Sequence, residues 1–251
     1  MSSQIRKDFN KLIMEALGVF ALCYVGGWSV EWAINGNLDL AGVALAHFVV
    51  LSMFIYIGFD ISGSHFNPAV TLALCATGYQ DKKEGIRYII AQCVGSLTAG
   101  FVLLSTRPRS LDAKVASVHQ LGFPSLNPNY SMLNGFFCEF IATGCLVLCV
   151  FSAGVHKKAS AEVTSACVGL SLGLMVLAIG NYTGAALNPC RVLGPAFFAG
   201  RSVERGFWIY YAGTLAGGLF TGLAYKYIFI ESEQEKEEVI SVAIQSELNM
   251  V

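Results

Sequence analysis

Two asparagine–proline pairs lie in apolar surroundings, in sequence contexts that are nearly alike. They belong to two triplets 121 positions apart, Asn67-Pro68-Ala69 and Asn188-Pro189-Cys190. Asparagine caps the amino end of a helix well, and proline is favoured at the first helical position. Each pair therefore predicts the start of a helix. The apolar stretches that follow, residues 67–75 and 188–199, are too short to cross a membrane.

The chemistry available to these pairs is hydrogen bonding and charge repulsion. The amino end of a helix carries roughly half a positive charge from its macrodipole, and the Asn67 and Asn188 amides can donate hydrogen bonds. A water molecule between two such ends would turn its oxygen towards both amides and its hydrogens along the passage, which interrupts a proton relay. Two facing ends also repel protons and other cations. The pairs therefore suggest a passage for water that is closed to protons.

Six apolar stretches surround the two pairs, each near the length of about 20 residues that crosses a bilayer as a helix. They run near residues 12–33, 40–59, 86–104, 133–153, 163–180 and 207–229. The composition agrees, because 13% of the 251 residues are charged, against about 25% in soluble domains. We therefore expect an all-α membrane protein, and the net charge of -1 argues against a nucleic-acid partner.

The two halves of the chain repeat the same order of elements. Glu15 lies in the first apolar stretch and Glu139, 124 positions later, in the fourth, and each half holds three spans and one short helix. Because three is odd, the second half must start on the opposite side of the membrane, so the repeats are inverted. The predicted units are a cytoplasmic amino terminus (1–10), a membrane domain (11–230, with repeats at about 11–105 and 133–230) and an acidic cytoplasmic tail (231–251).

Basic residues predict the orientation of the chain, since loops rich in lysine and arginine stay in the cytoplasm. With both termini in the cytoplasm, ten basic residues lie inside and five outside. The inside set is Arg6, Lys7, Lys11, Lys82, Lys83, Arg87, Lys157, Lys158, Lys226 and Lys236, and the outside set is Arg107, Arg109, Lys114, Arg201 and Arg205. The count favours cytoplasmic termini, in either the plasma membrane or the vacuolar membrane.

The sequence around the two triplets resembles the paired signatures of the aquaporin family. It reads SGSHFNPAVTLA at 62–73 and TGAALNPCRVLGPAFF at 183–198, and the segments EALGVF, AQCVGSLTAG and WIYYAG follow the family's order. The resemblance spans about residues 10–230 and departs from the family at Cys190, where alanine is usual. It implies an aquaporin-like fold of six transmembrane helices plus two half-helices. It also implies a homotetramer with one pore in each subunit, no cofactor, and a passive water channel rather than an enzyme.

The resemblance further implies a selectivity filter, placed by its distance from the two triplets. The filter residues are His47, Val176, Ala185 and Arg191. A charged side chain at membrane depth is costly, which makes Arg191 a functional candidate. Histidine on the second helix opposite a small apolar residue looks like the tonoplast-type plant channels, which implies that ammonia, urea or hydrogen peroxide pass besides water. Val192 and the Tyr210-Tyr211 pair argue against glycerol.

Other residues receive supporting roles from the same resemblance. His65 lines or gates the pore on the cytoplasmic side, Glu15 and Glu139 brace the loops before the half-helices, and Gln92 braces or packs between helices. The Cys190 sulfur is expected near the pore wall, where mercurials would reach it, with ordinary packing as an equal alternative. Glycines four apart, Gly169 with Gly173 and Gly213 with Gly217, predict close helix crossings.

Two other classes of membrane protein compete with the channel interpretation. A secondary transporter with inverted repeats would need ion-coordinating acids near the midplane, and Glu15 and Glu139 are already matched to bracing. An intramembrane enzyme would need a serine–histidine, paired-aspartate or metal constellation, which the sequence does not offer. The eight cysteines lack metal-ligand spacing and are interpreted as small core residues. Asn129 begins a glycosylation sequon in the long outside loop.

Overall fold

The structure, a computed structural model, describes residues 3–107, 120–156, 159–200 and 206–230, and the regular elements in these ranges are all helices. They are α1 (Ser3–Ile34), α2 (Leu40–Ser62), α3 (Pro68–Thr77), α4 (Lys82–Thr106), α5 (Met132–Cys149), α6 (Ala161–Thr183), α7 (Pro189–Phe198) and α8 (Trp208–Tyr225). A 3₁₀ turn (Gln120–Gly122) precedes α5, and π-helical turns continue α5 (Val150–His156) and α8 (Lys226–Ile230). The acidic tail at 231–251 and seven residues of the basic sets lie outside the described ranges.

Helix length separates the spanning helices from the short ones. Within the described ranges, five helices are long and apolar enough to cross a membrane: α1, α2, α4, α6, and α5 with its continuation. The last helix, α8, has 18 residues and a continuation of five, and its four glycines and three tyrosines lower its hydropathy. The helices α3 and α7 have ten residues each, or about 15 Å at 1.5 Å per residue. They are therefore half-helices, as the sequence predicts.

The helices of the two repeats pack in matching pairs. In the first repeat α1 lies against α2 and α4, and in the second α5 lies against α6 and α8, while α2 and α6 join the halves. Each half-helix packs on the third helix of the other repeat, α7 on α4 and α3 on α8. Outward faces carry exposed apolar side chains such as Leu45, Phe101, Ile141 and Phe220, as lipid contact requires. The predicted all-α fold with inverted repeats and two half-helices is confirmed.

Glycines allow the closest of these helix contacts. Gly95 on α4 and Gly217 on α8 are equivalent in the two repeats, and a Cβ on either would overlap a backbone carbonyl oxygen, that of Ala16 or of Phe140. The close crossings predicted at the two glycine pairs of α6 and α8 are confirmed. A Cβ on Gly169 would lie 2.8 Å from the Phe48 oxygen, and the other three glycines are similarly crowded.

We expect Gly217→Ala to destabilise the fold by about 1–3 kcal/mol, the usual result of forcing an extra methyl group into a packed interface. The obstacle is the Phe140 backbone, which no rotamer change can move away. Gly154→Ala is the control, because its Cβ would meet its nearest neighbour, Thr164, at an ordinary 3.5 Å. Thermal unfolding in detergent measures both variants, and equal stability of the two would contradict this account of the contact.

Candidate pore and its supporting contacts

The loops that lead into the two half-helices have the same unusual backbone. Gly63 and Gly184 end α2 and α6, each with φ of 80°. Four other residues of these two loops have positive φ without being glycine: Ser64 and Phe66 in the first loop, and Ala185 and Leu187 in the second. A left-handed conformation costs a residue with a Cβ about 1–2 kcal/mol. The two loops therefore need strong contacts to keep this shape.

The first loop is held by the buried carboxylate of Glu15 on α1. Its Oε1 accepts hydrogen bonds from the Ser62 hydroxyl at 2.7 Å and from the His65 backbone N–H at 3.0 Å. Its Oε2 accepts from the Phe66 backbone N–H and from the Gln92 side chain, both at 2.8 Å. One side chain on α1 thus fixes both the end of α2 and the residues just before Asn67.

The second loop has the equivalent arrangement around Glu139 on α5. Its Oε1 accepts from the Thr183 hydroxyl at 2.6 Å and from the Ala186 N–H at 3.0 Å, and its Oε2 accepts from the Leu187 N–H at 2.9 Å. Both Glu15 and Glu139 are fully buried. A buried carboxylate is costly unless its oxygens accept hydrogen bonds, and here every one of the four oxygens does.

Several residues that hold the two loops were not predicted from the sequence. Ser62 and Thr183 donate to the two carboxylates, and their backbone oxygens accept from the Tyr88 and Tyr210 hydroxyls, both at 2.8 Å. Each pair is separated by 121 or 122 positions, close to the spacing of the asparagine–proline pairs. A comparison of the two repeats for hydroxyl-bearing residues at that spacing would have identified both pairs.

The two asparagines cap the half-helices as predicted. The Asn67 Oδ1 accepts from the Ala69 N–H, and the Asn188 Oδ1 accepts from the Cys190 N–H, both at 2.9 Å. Proline occupies the first position of both half-helices, where its missing N–H costs nothing. The amino ends of α3 and α7 are therefore fixed by their own sequence.

Each asparagine also reaches across to the other repeat. The Asn67 Nδ2 donates to the Leu187 oxygen, and the Asn188 Nδ2 donates to the Phe66 oxygen, both at 2.8 Å. These reciprocal bonds hold the amino ends of the two half-helices together. A primary amide has two N–H donors, so one donor on each asparagine remains after this contact. Both asparagines line one central cavity.

That central cavity extends from the terminal face, the end of the bundle where α1 begins and α8 ends, to His47 and Arg191. Its walls are mostly apolar, with Leu51, Ile55 and Leu172 among them, and its polar residues include His65 and the two asparagines. A second cavity on the opposite face is lined by Val176, Tyr210 and the 122–128 segment. The pair formed by His47 and Arg191 lies between the two cavities.

The contacts of His47 and Arg191 define which hydrogens they carry. The His47 Nδ1 lies 2.8 Å from the Val43 oxygen, and since a carbonyl only accepts, Nδ1 carries the hydrogen. The Nε2 of this neutral ring is then an acceptor, and the Arg191 Nε donates to it at 3.3 Å. The Arg191 Nη2 donates to the Gly122 oxygen at 2.7 Å. Gly26 lies behind the pair, where a Cβ would be 2.5 Å from the His47 Nε2.

The Arg191 Nη1 differs from the other two nitrogens, because it is buried and has no hydrogen-bond partner among the described residues. Its two N–H groups therefore remain as hydrogen-bond donors without an acceptor in the described part of the protein. The His47 ring nitrogens, by contrast, are both occupied. This constriction therefore offers hydrogen-bond donors and hardly any acceptors.

The other predicted pore residues, Val176, Ala185 and His65, lie at three different places around the cavities. Val176 is buried on α6 and faces the second cavity, and Ala185 is buried in the second loop, where its N–H donates to the Thr183 hydroxyl at 3.1 Å. His65 lines the central cavity on the side of the terminal face, with its Nδ1 3.1 Å from the Thr71 hydroxyl. The structure thus brings His47 and Arg191 into direct contact, whereas Val176 faces the second cavity and Ala185 belongs to the lining of neither cavity.

Of the two interpretations of Cys190, the structure supports ordinary packing rather than a sulfur at the pore wall. Cys190 belongs to the lining of neither cavity, and its Sγ lies 3.8 Å from that of Cys93 on α4. The reason is the crossing of the half-helices, because the third residue of each triplet faces the packing partner of its half-helix. Ala69 correspondingly faces Gly218 on α8.

One buried ion pair was also missed. The Arg107 Nε lies 3.4 Å from the Glu31 Oε2, and both side chains are buried at the end of α1 and α4 on the opposite face. Glu31 falls inside the first apolar stretch, and an ionisable residue there was the signal that could have revealed it. In the described part of the chain, no group of three His, Cys, Asp or Glu residues is placed to hold a metal ion.

We expect Glu139→Gln to lower the thermal stability and the activity of the protein together. The amide can accept with one oxygen only, so at least one N–H or hydroxyl of the second loop loses its acceptor, at a cost of about 1–3 kcal/mol. Glu162→Gln, an exposed change in the first turn of α6, is the control. Thermal unfolding in detergent provides the measurement, and an unchanged midpoint for Glu139→Gln would show that the carboxylate does not hold the loop.

Comparison with known proteins agrees with this geometry. The family model described as "Major intrinsic protein" matches residues 2–225. The chain is 35% identical to Aquaporin TIP4-4 of Zea mays, over 90% of this chain and 87% of the relative, and 32% identical to Aquaporin TIP2-3 of Arabidopsis thaliana, over 94% and 92%. Its fold resembles the X-ray structure of the aquaglyceroporin from Plasmodium falciparum, with a TM-score of 0.78, 24% identity, and coverage of 88% of this chain and 96% of that one. The chain therefore belongs to the major intrinsic protein family, the family of the aquaporins, whose members are membrane channels and not enzymes.

Proposed function

We propose that this chain is a passive water channel whose pore joins the two cavities through the His47–Arg191 constriction and excludes protons and ions. The observation that carries the proposal is the meeting of the two half-helix amino ends. Asn67 and Asn188 each bond to the other repeat and keep a second N–H beside the central cavity. Two converging helix ends provide donors and positive potential at one point, which suits a neutral permeant with an oxygen atom.

Water passes the asparagine pair in one orientation. Its oxygen accepts from the amide donors of Asn67 and Asn188, so its hydrogens point along the pore towards water molecules on either side. A relay of protons would need each water to donate and accept along the same direction, which the central water does not do. The positive ends of α3 and α7 add a repulsive barrier to hydronium and metal cations.

The apolar walls of the central cavity and Arg191 also help to exclude ions. Apolar residues on α2 and α6, including Leu51 and Leu172, give an ion nothing to replace its hydration shell, and a charge without such replacement is costly to bury. The free Arg191 Nη1 donors attract the oxygen of a neutral permeant while the guanidinium charge repels cations. Water, hydrogen peroxide and urea all offer an oxygen acceptor, so a donor-rich constriction supports their passage. Ammonia can accept the same hydrogen bonds through its nitrogen lone pair, so its passage is supported too.

The same proposal includes roles for the bracing and filter residues, the assembly and the orientation of the chain. Glu15, Glu139 and Gln92 brace the loops, His47, Val176, Ala185 and Arg191 form the filter, and His65 lines the entrance on the terminal face. The channel domain is residues 11–230, and the chain assembles as a homotetramer in the plasma or vacuolar membrane. Its terminal face is cytoplasmic, as the distribution of basic residues favours.

The function is tested by stopped-flow shrinkage of proteoliposomes that contain the full chain. We expect water flux well above that of empty liposomes, with a low activation energy, no need for a solute gradient, and no proton leak recorded by an enclosed pH dye. Water flux no faster than in empty liposomes would overturn the proposal. Water flux that depends on a coupled ion would support a secondary transporter instead.

We expect His47→Phe to reduce urea flux more than water flux. Phenylalanine is larger than histidine and removes the acceptor that holds the Arg191 Nε, so the constriction narrows and urea, the larger solute, is affected most. Leu45→Phe is the matched control, because it adds the same ring to the outward face of α2, where Leu45 is 59% exposed. Water, ammonia, urea and glycerol fluxes measured side by side give the result. A proportional fall of urea and water would refute the role of His47 as the size filter.

A further inference from the structure

Three thiols from three helices meet behind the second half-helix. The Cys93 Sγ on α4 lies 3.8 Å from the Cys190 Sγ on α7. The Cys23 thiol on α1 donates to the Cys190 backbone oxygen at 3.4 Å. None of the eight cysteines of the chain is in a disulfide. The contact between the Cys93 and Cys190 sulfurs therefore joins the two repeats, at the residue directly before Arg191.

The backbones of α4 and α7 approach each other closely near Cys93 and Cys190. One helical turn away, a Cβ on Gly194 would overlap the backbone oxygen of Ser96. The Ser96 hydroxyl also donates to the Cys190 oxygen and accepts from the Gly194 N–H at 2.8 Å. A disulfide requires neighbouring backbones and an S–S distance of about 2.05 Å. At this crossing the two sulfurs need to approach by roughly 1.8 Å from their present 3.8 Å.

The two thiols differ in access. Cys93 is partly exposed on the outward, lipid-facing side of α4, beside Val94, whereas Cys190 is 1% exposed. An oxidisable pair commonly has one accessible cysteine that reacts first and a neighbour that resolves it. Hydrogen peroxide is small and neutral and can reach Cys93 from the bilayer side, so Cys93 takes the first role and Cys190 the second. Cys23 does not compete, because it is fully buried and its hydrogen is bonded to a backbone oxygen.

We propose that Cys93 and Cys190 form an oxidation site, at which a peroxide converts the two thiols into a reversible disulfide that ties α7 to α4 and reduces flux. The sulfur of Cys93 attacks one oxygen of hydrogen peroxide, the O–O bond breaks, and a sulfenic acid and one water are formed. The sulfur of Cys190 then displaces the sulfenic hydroxyl as a second water. Two thiols and one peroxide give one disulfide and two waters, and an added dithiol restores the thiols by exchange.

The disulfide affects the pore through the position of α7. Gly194 lies so close to the Ser96 backbone that not even a Cβ would fit between them, which leaves little room for α7 to move towards α4 as a whole. The amino end of α7 must instead pivot about that contact as the sulfurs approach. The pivot draws Asn188 away from the Phe66 oxygen and Arg191 away from His47, bonds that now measure 2.8 and 3.3 Å. This part of the inference rests on the proposed function, since it needs those residues to line the pore.

The bond itself is tested without any flux measurement. The full chain in proteoliposomes is treated with hydrogen peroxide, its remaining thiols are blocked, and the digested protein is mapped by mass spectrometry under non-reducing conditions. We expect a Cys93–Cys190 peptide that disappears on treatment with dithiothreitol. A bridge from Cys190 to Cys23, or oxidation of other cysteines while this pair stays reduced, overturns the proposal.

The effect on transport is tested with Cys93→Ser, which removes the accessible thiol and leaves Cys190 in place. Peroxide should reduce the water flux of the wild-type chain, dithiothreitol should restore it, and Cys93→Ser should keep its flux in peroxide. Cys138→Ser, a partly exposed cysteine on α5, is the control and should lose flux as the wild type does. A mapped disulfide with unchanged wild-type flux would refute the closing of the pore. If the chain shows no water flux before oxidation, the result contradicts the proposed water channel and not the oxidation site.

Discussion

The structure depends above all on two buried carboxylates that keep irregular backbone at membrane depth. In a bilayer each unbonded N–H is costly, so a loop is tolerated there only where protein groups satisfy it. Glu15 and Glu139 do so for the residues just before Asn67 and Asn188, including one left-handed residue in each loop, Phe66 and Leu187. Without these acceptors neither half-helix could start near the middle of the membrane. The cavity, the asparagine pair and the arginine all follow from where those helices start.

The placement of Arg191 illustrates how a charge is kept without being neutralised. No carboxylate among the described residues forms an ion pair with it. Its nitrogens are instead satisfied by a neutral histidine and a backbone oxygen, with one nitrogen left open. A carboxylate partner would attract cations into the constriction, whereas neutral acceptors leave the positive potential in place. Gly26 and Gly122 have no Cβ. The Gly26 backbone can therefore pack against the His47 ring, and the Gly122 oxygen can accept from Arg191.

Much of this could be predicted from the sequence, for identifiable reasons. The fold follows from apolar length, from the capping chemistry of Asn67 and Asn188, and from the odd number of spans in each half. Side-chain direction was not predictable in the same way. The triplet alone did not reveal that Cys190 faces α4, because that depends on the angle at which α7 crosses α4 at Gly194. The Glu31–Arg107 pair and the Tyr88 and Tyr210 hydroxyls depend on three-dimensional neighbours, although the repeat spacing contained a clue to the tyrosines.

The reciprocal bonds between the repeats have a consequence for how the protein is made. Asn67 donates to Leu187, which the ribosome adds 120 residues later. During synthesis the first half therefore enters the membrane with its central amide unmatched and with α3 lacking its neighbour α8. The first repeat cannot mature before the second, so assembly of the centre is a late event in biogenesis. A chain interrupted between the repeats would leave two incomplete bundles, each exposing an asparagine amide that is bonded to the other repeat in the complete protein.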